Sequence, residues 1–450
     1  MKENNKFWSD WLFPFIAYFM FATLLATLLV QLETVSLSQL IAYSASPLAY
    51  SLMLVGLFIA SKPRIFEQHI GMPKMYETHA LMTVLAAILV FVHIGNFWQG
   101  FGAMFRSPAT FWGYIGAFGI LLGLLTGALS LSGMFINNNR TLRNLKENFF
   151  NREVMLWLHR IGAFAAIIGT YLQNYYIDFL RNNTPYMTLL TIYTVAVIGY
   201  YLFWRLQVAT GRRYKVAKIF RGTPSLWVLE FEPVDGTIPE YEPGEYFNIR
   251  FKGADISGEA HPFSTSSAHT KRFSNSIEFM IKDAGDWTES LQNIEVGDVA
   301  TLEGPNGDFF PEDVKNSNEE ETPFILLAGG IGLTPNLSVL RHEIEIGSQR
   351  EIHLVWGLSY EEDMFMLDEL EAMKKVNPNF QYHIIFSNEE VEGYPFGFIS
   401  NDFLEEVGAD HYSKGHFFVC GPEPMINASK RLLENGNVAY EQQHIDDFGF

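Results

Sequence analysis

Three histidines in the first half of the chain have the type and spacing to bind a metal centre. The stretch "HALMTVLAAILVFVH" runs from His79 to His93 and is apolar at nearly every position between. Fourteen residues of helix rise about 21 Å and turn through nearly whole turns, so the two imidazoles share one face at two depths. His159 opens a similar stretch, "HRIGAFAAIIGTYLQN". Imidazole is a common axial ligand of protein haem, and two facing helices can grip one haem at each depth. An ionisable side chain inside an apolar span is costly and marks function by default. The competing account is a set of buried histidines hydrogen-bonded across a helix bundle. The spacing favours one six-coordinate haem b between His79 and His159.

The second stretch does not repeat the pattern of the first. Thirteen and fourteen residues after His159 stand Leu172 and Gln173, neither a usual haem ligand. Tyr171 and Tyr175 are near, but a phenol with a pKa near 10 is a poor choice. Three arrangements remain open. An outer haem is absent (the preferred reading), or it is five-coordinate through His93 alone, or an unexpected residue completes it.

These residues need a membrane bundle to position them. The chain has 450 residues, and its charge divides it. Residues 1–210 hold 13 Lys and Arg against 8 Asp and Glu, whereas the remainder holds 18 against 42. The first part contains six apolar stretches near the 20 residues needed to cross a bilayer. They run Trp11–Val30, Ile41–Ala60, Tyr76–Asn96, Phe111–Ser132, Met155–Tyr175 and Tyr186–Leu206. The first is long and lacks a small-residue cleavage pattern, so it reads as a span, not a cleaved signal. Lys2 and Lys6, then Lys62, Arg64 and Lys74, then Arg140, Arg143, Lys146 and Arg152, then Arg205, Arg212, Arg213 and Lys215 fall on one side, against Arg106 and Arg181 on the other. That asymmetry predicts a plasma-membrane protein with both termini and the acidic half in the cytoplasm. His69 falls in a basic loop on that side. The acidity excludes a nucleic-acid partner, and a single cysteine, Cys420, excludes intrachain disulfides and multi-thiolate metal sites.

After Arg213 the pattern becomes short alternating strands with Gly/Pro turns, as in "YEPGEYFNIRF" and "SIEFMIKD", predicting an antiparallel β-barrel over 211–318. From residue 319 apolar strands such as "PFILLAGG" and "EIHLVWG" alternate with helical stretches, predicting an α/β doubly wound domain over 319–450. The fold class is thus a membrane α-helical six-span bundle followed by two soluble domains. The acidic "PEDVKNSNEEET" between the latter reads as a solvated linker.

Four motifs appear in order: "HPFSTSS" (261–267), "GPNGDFF" (304–310), "LLAGGIGLTP" (326–335) and "VCGPEPM" (419–425). The set resembles the ferredoxin–NADP reductase superfamily and, with six spans ahead of it, the ferric reductase and NADPH oxidase family. The terminal "IDDFGF" also resembles the end of the flavin subunit of the sodium-pumping quinone reductase. Independently of resemblance, Gly329, Gly330 and Gly332 follow an apolar strand and open a helix, where backbone N–H groups can approach a pyrophosphate.

The resemblance implies FAD, NADH and haem b as cofactors. It implies that Thr334, Pro335, Cys420, Gly421 and Pro422 form the nicotinamide site, with Cys420 beside the ring. It implies that His261 positions the flavin's ribityl and phosphate portion, with Pro262 in the same motif, Phe263 packed on the isoalloxazine and Ser264 near its N5. Lys282, Gly285 and Thr288 of "IKDAGDWTESL" would serve the flavin phosphate, where a bland reading is a hairpin and a capped surface helix. Phe448 would cover the other flavin face, with Phe450 as competitor and a frayed tail as the ordinary alternative. After the second strand of the last domain, "WGLSYEED" offers Glu361, Glu362 and Asp363 and no basic residue. Carboxylates suit ribose hydroxyls and repel a 2′-phosphate, favouring NADH.

The expectation is an NAD(P)H-dependent oxidoreductase carrying electrons from NADH through FAD to haem b. Ser264, Cys420 and Phe448 flank the transfer. The acceptor lies in or across the membrane: a small molecule such as ferric iron, oxygen or quinone, or a protein. Besides lipid, no further partner and no oligomeric state is legible. The rival is a flavoprotein NADH reductase or sensor whose membrane part is a haem-free anchor or transport domain.

Overall fold

A computed structural model describes residues 19–20, 22–24, 27, 37–97, 101–131, 152–209, 211–251, 256–317 and 322–446. The first expected span and the basic stretch from Arg140 to Lys146 lie mostly or wholly outside them. The chain divides into two compact units, Met1–Gln207 and Val208–Gly449.

The first unit is helical. Among the described residues its long helices are α1 (Leu37–Ala60), α2 (Arg64–Phe97), α3 (Pro108–Leu131), α4 (Arg152–Tyr175) and α5 (Thr184–Ala209). Four contain segments long and apolar enough to cross a membrane: Met75–Gly95, Pro108–Leu129, Val154–Tyr175 and Thr184–Leu206. In α1 the apolar segment is the shorter Ser44–Ala60. Six spans are therefore not all described. His69 belongs to α2 and not to a loop: the helix starts at Arg64, a full 34 residues long. The exterior of this unit is apolar: Leu81, Ile88, Phe91, Leu125, Ile161 and Val195 are all exposed. A surface of that kind is solvated by lipid more readily than by water.

The helices pair through small residues. Along α3, Gly116, Gly119 and Gly123 recur at helical spacing and face Gly162, Ala166 and Gly169 of α4. A Cβ on Gly162 would stand 2.7 Å from the Gly123 nitrogen, and one on Gly169 would stand 2.8 Å from the Gly116 Cα. Backbone thus meets backbone, the packing that membrane helices use to gain dispersion contact. Elsewhere α1 is tied to α5 by the Tyr50 hydroxyl against Thr194 Oγ1 at 2.7 Å.

The second unit has two sheets. The first contains β1 (Arg213–Thr223), β2 (Leu226–Pro233), β3 (Tyr246–Phe251), β4 (His261–Ser264), β5 (Ile277–Lys282) and β6 (Val299–Asn306), in the order β4-β3-β6-β1-β2-β5. All pairings are antiparallel. The barrel expected for this region is not closed. Its two edges meet at the isolated bridge Thr265–Phe279. Edge strand β4 has four residues and includes Pro262, which has no N–H to give a neighbour. Phe231, Phe247, Phe251 and Phe279 fill the core beneath.

The second sheet is parallel, with β7 (Phe324–Gly329), β8 (Ile352–Leu358), β9 (Phe380–Phe386), β10 (His416–Cys420) and β11 (Gln443–Asp446) in the order β11-β10-β7-β8-β9. Its helices include α6 (Leu333–Ile346), α7 (Leu367–Val376), α8 (Asn401–Glu406) and α9 (Glu423–Asn435). Strand β7 is buried along its whole length, as covered parallel strands are. The chain leaves β7 toward β8 and later returns on the other side as β10. That reversal is where doubly wound sheets open a crevice at the carboxyl ends of their strands.

Candidate redox site

In the helical unit, His79 on α2 and His159 on α4 approach each other with ring centroids 6.0 Å apart and planes at 62°. Each ring is fixed from behind. His79 Nδ1 lies 2.9 Å from the Gly56 carbonyl oxygen of α1, and His159 Nδ1 lies 2.8 Å from that of Gly123 on α3. A carbonyl only accepts, so both Nδ1 atoms carry a proton, which leaves Nε2 as the nitrogen whose lone pair a neutral ring would offer to a metal. Metal-bound histidines are oriented in this way by a partner on the second nitrogen. Imidazole–metal bonds of about 2.0–2.1 Å on either side of one ion place two ring centroids roughly 6 Å apart. The residues present therefore fit a bis-imidazole haem.

One helical stage away, His93 and Gln173 line a common cavity of about 370 Å³ with Thr170, Asn174 and Tyr186. Gln173 packs on Gly113, where a Cβ would meet its amide nitrogen at 2.9 Å. Tyr171 turns to α5, its hydroxyl 2.9 Å from Thr191 Oγ1, and Tyr175 is exposed. The cavity has an imidazole on one side and a carboxamide where the second imidazole would stand.

In the second unit, the glycine loop and the cysteine loop press together at the sheet's reversal. A Cβ on Gly329 would meet Pro422 at 2.9 Å, and one on Gly421 would meet the Gly329 backbone at 3.1 Å. Gly332 lies against the Cys420 carbonyl. Gly330 has φ +53° and open space where a side chain would be. There the backbone turns left-handed and offers a bare surface at the start of α6. Thr334 and Pro335 are buried in the first turn, Thr334 Oγ1 donating to the Ile331 carbonyl at 2.9 Å. Cys420 is buried and ends β10, paired in register with Ala328 on one side and Asp446 on the other. Pro422 caps α9.

The flavin motif reaches this crevice through Ser264, whose Oγ lies 3.4 Å from Asp446 Oδ2. Ser264, Asp446 and Cys420 thus form one row across three strands. His261 and Phe263 both pack on Trp287, at centroid distances of 4.5 and 5.4 Å. Gly285 and Thr288 form a capped turn: Thr288 Oγ1 accepts from Ala284 N at 2.8 Å and Gly285 N at 3.1 Å. Lys282 Nζ donates to Asp363 at 3.2 Å. The acidic stretch after β8 therefore has a basic neighbour in space, already engaged with a carboxylate. Phe448 and Phe450 lie outside the described residues.

A buried clasp locks the two sheets together. Arg341 of α6 is 1% exposed. It grips Glu369 through two bonds of 2.8 and 2.9 Å and donates at 2.7 Å to Glu278 of β5 and at 2.9 Å to the Ser266 carbonyl. Burial alone would raise the Glu369 carboxyl, but the Arg341 guanidinium holds it below the usual range. Beside it the Ser338 hydroxyl donates to the Ser267 carbonyl.

Residues 235–329 match the family model described as an FAD-binding domain, and residues 326–431 match the oxidoreductase NAD-binding domain. The reductase component of propane 2-monooxygenase from Mycolicibacterium goodii is 31% identical over 244 residues, covering 52% of this chain and 67% of the relative. The chain belongs to the NAD(P)H-dependent flavin oxidoreductases. The corresponding reductase component of Rhodococcus jostii (strain RHA1) is 30% identical over 244 residues, 52% of this chain and 63% of the relative. A flavohemoprotein of Oceanobacillus iheyensis is 27% identical over 249 residues, 53% of this chain and 59% of the relative. The chain thus spans about two thirds or less of the curated relatives it matches, and the matches cover about half of it. The FAD and NAD(H) modules of this oxidoreductase are of the ferredoxin–NADP reductase type.

Sequence reasoning missed Trp287, Asp446 and Arg341. Trp287 was only the start of a short helix, and Asp446 only part of the terminal "IDDFGF". Arg341 carried a weak signal, as the one Lys or Arg of α6.

Proposed function

We propose that the chain is a transmembrane flavohaem oxidoreductase, passing electrons from cytoplasmic NADH through FAD to one haem b and on to an acceptor in or across the membrane. The observation that carries this reading is the paired imidazoles, 6.0 Å apart, each with Nδ1 committed to a glycine carbonyl of the neighbouring helix. When bound, the flavin accepts a hydride from the nicotinamide and the haem accepts single electrons.

The protein's part is to hold and orient. The loop at Gly330 and the start of α6 would receive the nucleotide pyrophosphate. Cys420 and Thr334 would border the nicotinamide, with Ser264 on the flavin side of the same crevice. Stacked on Trp287, His261 and Phe263 would be held as one wall of the flavin site beside Pro262, and Lys282, Gly285 and Thr288 would lie along its phosphate end. Phe448 would close the remaining face. Glu361 and Glu362 favour ribose hydroxyls over a 2′-phosphate, hence NADH over NADPH. His79 and His159 would hold the haem iron. Lipid would cover the exposed apolar side chains, and the excess of Lys and Arg on one side would keep both termini in the cytoplasm.

The test is haem per flavin in purified protein, with a reduced-minus-oxidised spectrum after NADH is added. A ratio near one with a low-spin b-type spectrum supports the reading. Flavin without haem, in cells supplied with haem precursor, would refute it.

A further inference from the structure

At the amino ends of the parallel strands, Glu351, His353 and His411 converge. Glu351 immediately precedes β8, and His353 is that strand's second residue, so the two side chains leave one face of the extended chain. His411 comes from the turn between α8 and β10. Both histidines direct Nε2 at the same carboxylate oxygen: Glu351 Oε1 is 3.3 Å from that of His353 and 3.2 Å from that of His411. All three donor atoms lie within 4.8 Å of one another.

These separations are long for a charge-assisted hydrogen bond, which settles at about 2.7–2.9 Å. They match the edges of a metal coordination tetrahedron. With bonds of about 2.0–2.1 Å, tetrahedral donors stand roughly 3.3 Å apart. Two edges of the three are already at that length. The His353 ring is buried, lying parallel to His383 at 5.9 Å and 13°, and its Nδ1 has no hydrogen-bond partner, so Nε2 is the nitrogen engaged at the cluster. Glu351 and His411 are more exposed and can adjust to close the third edge.

We infer that Glu351, His353 and His411 form a site for a borderline divalent transition ion of the zinc type. Two imidazoles and one carboxylate suit such an ion better than magnesium or calcium, which take oxygen donors. Three protein donors leave a fourth position for water. The site is at the amino ends of the strands, whereas Gly330 and Cys420 are at the carboxyl ends. The ion would therefore clip the turn before β10 to the start of β8, and would not act on the nucleotide.

The experiment uses tag-free full-length protein in detergent with flavin retained, stripped with a chelator and titrated with Co²⁺ as a visible probe, then with Zn²⁺ in competition. The expected result is one Co²⁺ per chain with the intense bands of four-coordinate cobalt, displaced by Zn²⁺. His411→Ala should weaken binding at least roughly 100-fold and Glu351→Gln about tenfold or more, judged against the loss of a ligand or its partner. Zn²⁺ should raise the unfolding midpoint of the unaltered chain and leave that of His411→Ala unmoved. NADH-driven ferricyanide reduction by His411→Ala should persist, showing that its fold is intact. Equal Co²⁺ uptake by the unaltered chain and His411→Ala would overturn the assignment, as would no saturable uptake at all. If His411→Ala loses flavin, the same titration on Glu351→Gln decides.

Discussion

The two depths of the helical unit begin from the same arrangement and end differently. At the first, α2 and α4 each present an imidazole, and each imidazole is fixed by a glycine carbonyl of a neighbouring helix. At the second, the same two helices present His93 and Gln173 around a cavity of about 370 Å³. A carboxamide can donate and accept hydrogen bonds, but it is a weak ligand for iron. On the proposed reading, the difference teaches that a single side chain, Gln173 opposite His93, would decide whether the second level could hold a haem as the first would.

The largest expected effect comes from abolishing the complete level. His159→Ala should remove essentially all haem while flavin content and NADH-driven ferricyanide reduction remain, as read from the pyridine haemochrome and flavin absorbance. Next is the attempt to erase the difference between levels. Gln173→His, fourteen residues after His159, should bring the haem-to-flavin ratio from near one toward two and add a second step to a potentiometric titration. A ratio unchanged at one would mean the outer cavity is not shaped for haem. A smaller effect follows from disturbing orientation without touching a ligand. A Cβ on Gly127 would lie 3.2 Å from His159 Nδ1, so Gly127→Val should crowd the ring and weaken haem retention by about 10–100-fold. The smallest effect belongs to His93→Ala, which should leave the haem content and spectrum of the complete level unaltered. If it lost that haem, the two levels would not be independent.

Much of this was legible from residues alone, for a physical reason. The pairing of His79 with His159 follows from helical rise and apolar length, both of which depend only on local sequence. The glycine loop was recognisable because close backbone approach demands particular residues, and "VCGPEPM" because the ordered motifs resemble a known family. The carbonyl partners Gly56 and Gly123 were not. They sit 23 and 36 residues before their histidines, and nothing local marks a carbonyl as an acceptor. Trp287, under His261 and Phe263, was missed for the same reason: the contact joins strand and turn only after the sheet curls. The closed barrel was over-read, since alternation of apolar and polar residues reports a half-buried sheet and not whether its edges pair. The positively charged residues that argued for orientation lie partly outside the described residues, and the acidic stretch gained Lys282 only in three dimensions.

The glycine contact between α3 and α4 also bears on how this chain can vary. A single-base change that replaces a glycine yields Ala, Ser, Cys, Val, Asp, Glu, Arg, Trp or a stop, and every one of those residues carries a Cβ. At Gly119, Gly162 and Gly169 that atom would lie within 2.8 Å of the opposite helix's backbone, which cannot swing aside as a flexible side chain can. The contact therefore has no neutral single-step amino-acid replacement, and drift at these positions should be arrested even where the exposed apolar residues beside them change freely.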